Sequence, residues 1–427
     1  MRTWRRCLAV VFAVVTAFAI AACGSSNDNS SSSGSSTTAA AGASTGASTT
    51  AAASSGGAAC IPPAPSTMPK DPDGVVADLT GAAKQGMGGY PGTVYASPWV
   101  DFKSKHGPPY KIGMSNNEGN LNAQDLLKGL QQAAKDNPGK VSKIISTTPS
   151  TPNDVATQIQ QMRSLLQQHV DIIFSTLGSP TALNGVIDQA AKQGIPVISI
   201  LGQSTSKNAV NLQPNPIQLG YYGAKGMTEA MGGKGDILSV AGIPGLSINT
   251  DILKGGDLVI KACNLKVVGN LVGKFDPALA KSETLKFFAG HPGKVDGVFQ
   301  VAGMAPGIFS AFQQVGREVP PVGDIAGNAA SLAFWRENMS KGYKGSGVAI
   351  PPQKIGIYTM DLGLGMLEGR GVKVTDVPFA PPVITDDNLN QWAKPEWTVQ
   401  TNALADGPDD AVPIQELLDT YLSKPAS

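Results

Sequence analysis

Histidine is nearly missing from this chain. His106, His169 and His291 are the only three; they lie far apart, and none belongs to an HxxxH or CxxC arrangement that would start a metal site. Cysteine is scarce too, with four in 427 residues, and none of those four is spaced as a metal ligand pair. Charge is thin and balanced: 33 Lys and Arg face 32 Asp and Glu, and no basic cluster stands out, which argues against nucleic acid as a partner. Aromatic residues make up only 6%, so stacking anchors are few, and Trp335 in SLAFWRENM reads as core by its helical spacing. Glycine patterns such as GLGMLEG fall inside a helical stretch and not after a strand, so no dinucleotide loop is present. Asp276 and Glu118 have no carboxylate partner in sequence. Catalysis therefore lacks a nucleophile with its base, a carboxylate pair or a metal: the chain does not read as an enzyme and calls for no cofactor.

What is abundant lies at the start. In MRTWRRCLAVVFAVVTAFAI, Arg2, Arg5 and Arg6 precede an uncharged apolar run from Cys7 to Ile20. This is the pattern of a secretory signal, and the run is shorter than the about 20 residues a membrane span needs. It ends in Ile20-Ala21-Ala22-Cys23, a branched aliphatic, two small residues and a cysteine, which resembles a bacterial lipobox. That resemblance implies removal of residues 1–22, a lipid on Cys23, and anchoring on the extracytoplasmic face of the cell membrane. Losing the three arginines takes the formal charge from +1 to −2. From Gly24 to Ala59 only Gly, Ser, Thr, Ala, Asn and one Asp occur. Such a segment has no apolar face to offset the entropy of ordering it, and 23–59 reads as a disordered tether with a root-mean-square reach of roughly 30–36 Å. Beyond the signal and Cys23 only Cys60 and Cys263 remain. An oxidising compartment lets them pair, but two distant cysteines do not prove a bridge, and both alternatives stay open.

The body of about 365 residues is enough for two domains. Residues 60–109, with CIPPAPSTMPKDPDG and GMGGYPG, form an irregular extension. From Tyr110 short apolar runs alternate with amphipathic stretches: YKIGM, LLKGLQQAAKD, KVSKIIS, DVATQIQQMRSLLQQ, VDIIFS, a helix over 180–193, and IPVISIL. A second series follows, with helices over 217–231, 247–262, 276–289 and 305–315 between the strands GDILSVAG, LKVVGNLV, VDGVFQVAG and PPVGDIAG. Ser179 before Pro180 and Asn215 before Pro216 mark helix starts. This alternation means right-handed βαβ units, hence an α/β protein with two doubly wound parallel sheets.

The order of certain phrases then becomes recognisable: SNNEGN after the opening strand, KQGIPVISI, GIPGLSINTDILKGG, KFDPALAKSETLKFF and PFAPPVITDDNLNQW. Over Tyr110 to Trp392 the chain resembles the type I periplasmic binding proteins of the ribose and sugar-transporter class. The resemblance implies two lobes joined by a three-crossover hinge, 110–212 plus 350–376 and 213–349 plus 377–427, closing on one small molecule. It also implies a monomer that delivers its ligand to the permease of an ABC transporter; a sensor that shows its closed form to a membrane kinase or chemoreceptor is the alternative.

Ligands of open parallel sheets bind beyond the carboxyl ends of the strands. That rule selects Asn116, Asn117 and Glu118, then Thr176, Gly178 and Ser179, then Gly202 and Gln203; from the second lobe it selects Ser247 and Asn249, Ala302 and Met304, and Gly327 and Asn328. Asn, Gly and Ser are also ordinary turn and cap residues. The chain departs from the sugar binders it resembles. Where they carry an aspartate-arginine pair it has Leu201 and Gly202; for an arginine it has Thr250, for asparagine-aspartate Ala302 and Gly303, for a glutamine Ile350, and for an aromatic pair Glu118, Gly119 and Asn120. Each buried hydroxyl left unpaired costs about 1–3 kcal/mol. The expected ligand is thus less polar than a free hexose, held by Asn117, Ser247 and Asn328.

Overall fold

The computed structural model describes residues 58–424. The signal run, Cys23 and the tether as far as residue 57 lie outside the described residues. Two sheets organise the rest. The first takes β1 (Tyr110–Ser115), β2 (Val141–Thr147), β3 (Ile172–Ser175), β4 (Val197–Ile200) and β5 (Ala209–Leu212) in the order β2-β1-β3-β4-β5, every pair parallel. The second takes β6 (Asp236–Ala241), β7 (Lys266–Val272), β8 (Gly297–Gln300), β9 (Val322–Ala326), β10 (Ser346–Ala349) and β11 (Val383–Ile384). Its order is β11-β10-β9-β8-β6-β7, parallel except for the short β11. Read from the other edge, the second order repeats the first. Each sheet thus reverses direction between its first and third strands, at β1/β3 and β6/β8, where open α/β sheets form their ligand crevice. Strands β3, β4, β5, β8 and β9 are buried along their whole length, whereas the edge strands β2 and β7 have no buried residue and are half-buried to exposed. Helices on both faces of a parallel sheet produce this contrast.

The helices are α1 (Gly81–Met87), α2 (Leu121–Asp136), α3 (Val155–Gln167), α4 (Asn184–Lys192), α5 (Pro216–Ala230), α6 (Ser247–Ala262), α7 (Pro277–Gly290), α8 (Ala305–Gln314), α9 (Ala329–Met339), α10 (Pro352–Leu367), α11 (Leu389–Trp392) and α12 (Ile414–Tyr421). Asn215 caps α5 as expected, its side chain accepting from the amides of Ile217 and Gln218. The expected start at Pro180 is wrong. Leu183, fully buried, pins an intervening turn, so α4 begins at Asn184, and the Ser179 hydroxyl accepts from the Ala182 amide within that turn. The short elements α1, β5, β10, β11, α11 and α12, of two to eight residues each, carry too little apolar pattern to stand out in sequence.

Three crossovers join the lobes. Residues 213–215 lead from β5 into α5, residues 350–351 lead from β10 into α10, and the chain returns after α10 to β11. The first and third run side by side, with amide-to-carbonyl bonds from Val377 to Asn211, Phe379 to Gln213 and Asn215 to Phe379. The segmentation that put 377–427 with the second lobe fails for its end. Helix α12 packs on α1 and α10, and main-chain bonds join Lys373 to Tyr421 and Ser423 to Gly371, which returns the C-terminus to the first lobe. Its buried Leu417, Leu418 and Tyr421 supply the reason.

The extension before β1 braces the hinge. Cys60 and Cys263 are disulfide-bonded across 203 residues, tying the extension to the end of α6. Tyr221 donates to the Pro62 carbonyl, and Asn215 to those of Gly86 and Gly88. On the other side, Ser97 donates to the Lys373 carbonyl, Thr375 to that of Tyr95, and the Trp99 indole to that of Asn208.

In each lobe one helix pair meets backbone to backbone. A Cβ on Gly129 of α2 would overlap the Gln353 carbonyl of α10, and one on Gly356 of α10 would overlap the Leu126 carbonyl of α2. Likewise Gly220 of α5 faces the Ile252 carbonyl of α6, and Gly255 of α6 faces that of Ile217. Helix propensity alone makes Gly→Ala in a helix stabilising by about 0.5–1 kcal/mol, while overpacking costs about 1–3 kcal/mol. Gly220→Ala is therefore expected to lower the unfolding free energy, measured by urea denaturation; a gain would mean that the helices have room to separate.

Candidate ligand cleft

The loops that follow the parallel strands of both sheets enclose a cleft of about 740 Å³. From the first lobe come residues 117–118 and 120–123 after β1, 152–153 after β2, Thr176, Leu177 and Pro180 after β3 and 201–203 after β4. From the second come Ile243 and residues 246–248 after β6, 274–277 and Leu279 after β7, 302–303 after β8, and Ala326 ending β9 and Asn328 after it, with Ile350 on the second crossover.

Asn117, Glu118, Thr176, Gln203, Ser247 and Asn328 stand together on this cleft. Asn117 is held at both ends of its amide, donating to Asn153 Oδ1 at 2.7 Å and accepting from the Thr176 hydroxyl at 2.9 Å. Glu118 accepts from Asn120 Nδ2 at 2.9 Å, and burial pushes its carboxyl above the usual range. Asn328 uses its oxygen to cap α9 through the Ala330 amide. The Gln203 backbone N–H donates to Ser247 Oγ at 3.5 Å, a contact from one lobe to the other.

Gly202 and Ala302 line the cleft as well, whereas the remaining selected residues brace it without lining it. Asn116 donates to Ser146 and Thr148 from beneath the loop. Gly178 is tied by its amide to Gln158, and Ser179 stays in its turn. Asn249 accepts from the Gly242 amide and so closes the loop before α6. Met304 is fully buried, with its amide bonded to Gln300 Oε1.

Strand-end reading selected none of Asn153, Lys274, Phe275, Asp276, Asn402 and Leu404, all on the cleft. The rule of strand ends, applied to the edge strands β2 and β7 as well, finds the first four; no local pattern marks the last two. Asp276 caps α7 through the Ala278 and Leu279 amides. Lys274 makes no ion pair among the described residues. The Phe275 ring lies against Gly242, where any Cβ would overlap it.

Backbone strain gathers here. Seven described non-glycine residues have positive φ, and five of them line the cleft: Asn153 (58°), Leu201 (54°), Lys274 (54°), Phe275 (62°) and Ala326 (106°). Each costs of order 1–3 kcal/mol and persists where the surroundings overdetermine it, typically at ligand clamps. Behind the cleft, Gln203 Nε2 donates to the Tyr90 hydroxyl, which donates to Asp376 Oδ1 at 2.8 Å; Asn211 donates to the same oxygen and Thr375 to the other. Burial raises the Asp376 carboxyl and these hydrogen bonds oppose it.

A model of the periplasmic binding protein domain matches residues 112–371. The chain belongs to this family. The family works outside the cytoplasmic membrane and binds small solutes. A xylitol-binding protein of Mycolicibacterium smegmatis is 28% identical over 262 residues, 60% of this chain and 72% of that one. The ribose import binding protein of Bacillus subtilis is 24% identical over 253 residues, 58% and 79% of the two chains. An ABC transporter solute-binding protein of Thermobispora bispora superposes with a TM-score of 0.64 at 24% identity, covering 74% of this chain and 98% of its own. The two α/β lobes described above are the fold of this family.

Under the second-lobe wall, Asp324 of β9 accepts from Gln300 Nε2 at 3.2 Å and from the Ser331 hydroxyl. Gln300 in turn holds the amide of Met304, so this buried cluster sets the loops that carry Ala302 and Asn328. Burial raises the Asp324 carboxyl from 3.8 to about 6. Because the folded state binds this proton more tightly than the unfolded chain does, the contribution of Asp324 to stability is fullest below about pH 4 and is lost as pH rises through about 6. Asp324→Asn removes that loss. Its stability relative to the parent is expected to increase between pH 4 and pH 6.5 in paired urea titrations, and a pH-independent difference would count against the assignment.

Proposed function

We propose that this chain is the extracytoplasmic, lipid-anchored binding subunit of an ABC importer, which captures one small solute by closing its lobes and presents it to the permease as a monomer. The observation that carries this reading is the cleft itself: loops beyond the carboxyl ends of four parallel strands from each lobe face one another across it, with the crossovers behind it. Rigid-body closure about such crossovers needs only a few residues to change conformation. Kinship with proteins named for xylitol and ribose supports a sugar or polyol class of solute.

The pocket chemistry supports a narrower choice. Leu201, Ile243, Leu246, Phe275, Ala302 and Ile350 line the walls, and the best placed amide, Asn117, already spends its carbonyl and one N–H inside the protein. A solute with fewer hydroxyls than a hexose leaves fewer of them unpaired. Asn117, Ser247 and Asn328 are the polar groups proposed to hold it, with Glu118, Thr176 and Gln203 beside them; Asn116, Gly178, Ser179, Asn249 and Met304 act as support.

Two measurements test the reading. Thermal unfolding with D-glucose, D-ribose, xylitol and methyl β-D-xylopyranoside is expected to show stabilisation by the less hydroxylated members, amounting to about 2.7 kcal/mol at a hundredfold excess over Kd. A micromolar D-glucose affinity would overturn the pocket chemistry, and stabilisation by none would overturn solute binding. Among the described residues no helix is long and apolar enough to cross a membrane, so membrane attachment in this reading rests on Cys23. Cys23→Ser is expected to move the protein from the membrane fraction to the soluble one, and retention in the membrane fraction would overturn the anchor.

A further inference from the structure

We infer that the C-terminal tail, beyond the matched domain that ends at residue 371, supplies a third wall of the cleft, and that Asn402 and Leu404 select which solute enters. This rests on the solute-binding reading above and adds residues to it. Both side chains line the cleft alongside Asn328. Their placement follows from how the tail is held. The Ala329 amide donates to the Ala403 carbonyl and the Ala405 amide to the Gly327 carbonyl, each at 2.9 Å, around an antiparallel bridge between Asn328 and Leu404. In an extended segment successive side chains point to opposite sides. Ala403 and Ala405 accordingly pack into the cluster of Trp335, Ile384, Trp392 and Trp397, which turns Asn402 and Leu404 the other way, onto the cleft.

The wall is rigid. The Arg336 guanidinium donates to the carbonyls of Lys394 and Trp397, and the Trp335 indole donates to Asp386 at 2.8 Å. One residue past Ala405 the tail reaches the other lobe, where Asp406 accepts from the Gln353 amide at 2.8 Å at the start of α10. The segment is thus pinned to both lobes within a few residues of the cleft, and closure keeps Asn402 and Leu404 at its edge. Asn402 has an exposed side chain with no hydrogen bond to any other described residue, so its amide is available to a solute. Leu404 is half-buried and adds apolar surface to the cleft beside Asn328.

The test compares Asn402→Ala and Leu404→Asn with the parent chain by calorimetric titration against D-ribose, xylitol, D-glucose and methyl β-D-xylopyranoside. Asn402→Ala is expected to weaken the preferred solute roughly five- to tenfold, the loss of one hydrogen bond, with an unchanged melting temperature of the unliganded protein. Leu404→Asn is expected to shift the order of affinities towards the more hydroxylated solutes. If the parent binds at least one solute and Asn402→Ala keeps every affinity within twofold, the tail is no part of the recognition surface and the inference falls alone. A parent that binds none of the four overturns the solute-binding reading, and this inference with it.

Discussion

The molecule depends on two helix contacts from which side chains are excluded. Helix α10 leaves the second crossover and α5 leaves the first, while α2 and α6 start at the cleft with Leu121, Asn122 and Ser247. Gly129 and Gly356 let α10 lie on α2, and Gly220 and Gly255 let α5 lie on α6, at a separation that any Cβ would forbid. In each lobe a helix that carries the hinge is therefore seated directly on a helix that carries the site. Close-packed interiors transmit displacement and do not absorb it, so a change at a crossover reaches the cleft as a movement of whole elements.

Around this shared frame the chain adds material at both ends. The extension is fastened to the second lobe by the Cys60–Cys263 bridge and to the third crossover by main-chain bonds at Tyr95 and Ser97. The tail adds a fourth passage between lobes, pinned at Ala403 and Ala405 on one side and at Asp406 and α12 on the other. Both lie outside residues 112–371. The hinge they brace holds a buried carboxylate, Asp376, linked through the Tyr90 hydroxyl to Gln203 on the cleft. A side chain of the extension thereby orients a residue of the site.

The site combines strain with pre-set polar groups. Leu201, Lys274, Phe275 and Ala326 keep left-handed backbones that a relaxed loop would abandon. Asn117, Thr176 and Asn153 satisfy one another before any ligand arrives. Ordering the walls in advance removes part of the entropy that binding would otherwise cost.

Much of this was legible in the residues. Apolar runs alternating with amphipathic stretches pointed to the two parallel sheets, and helix 247–262 was read with its true ends, because hydrophobic period is a local property. Strand-end logic also reached Asn117, Glu118, Thr176, Gln203, Ser247 and Asn328 on the cleft. What failed depended on distant partners. Ser179 precedes a turn because Leu183 is buried against the first lobe's sheet; Asn116, Asn249 and Met304 face inward because other loops need them there. By itself the amino-acid sequence determined the elements, the duplicated architecture and the loops in which a site must lie. Only tertiary structure decided that Cys60 meets Cys263, that the tail supplies Asn402 and Leu404, and that glycine contacts join hinge to cleft, since each depends on residues far apart in the chain whose proximity no local pattern encodes.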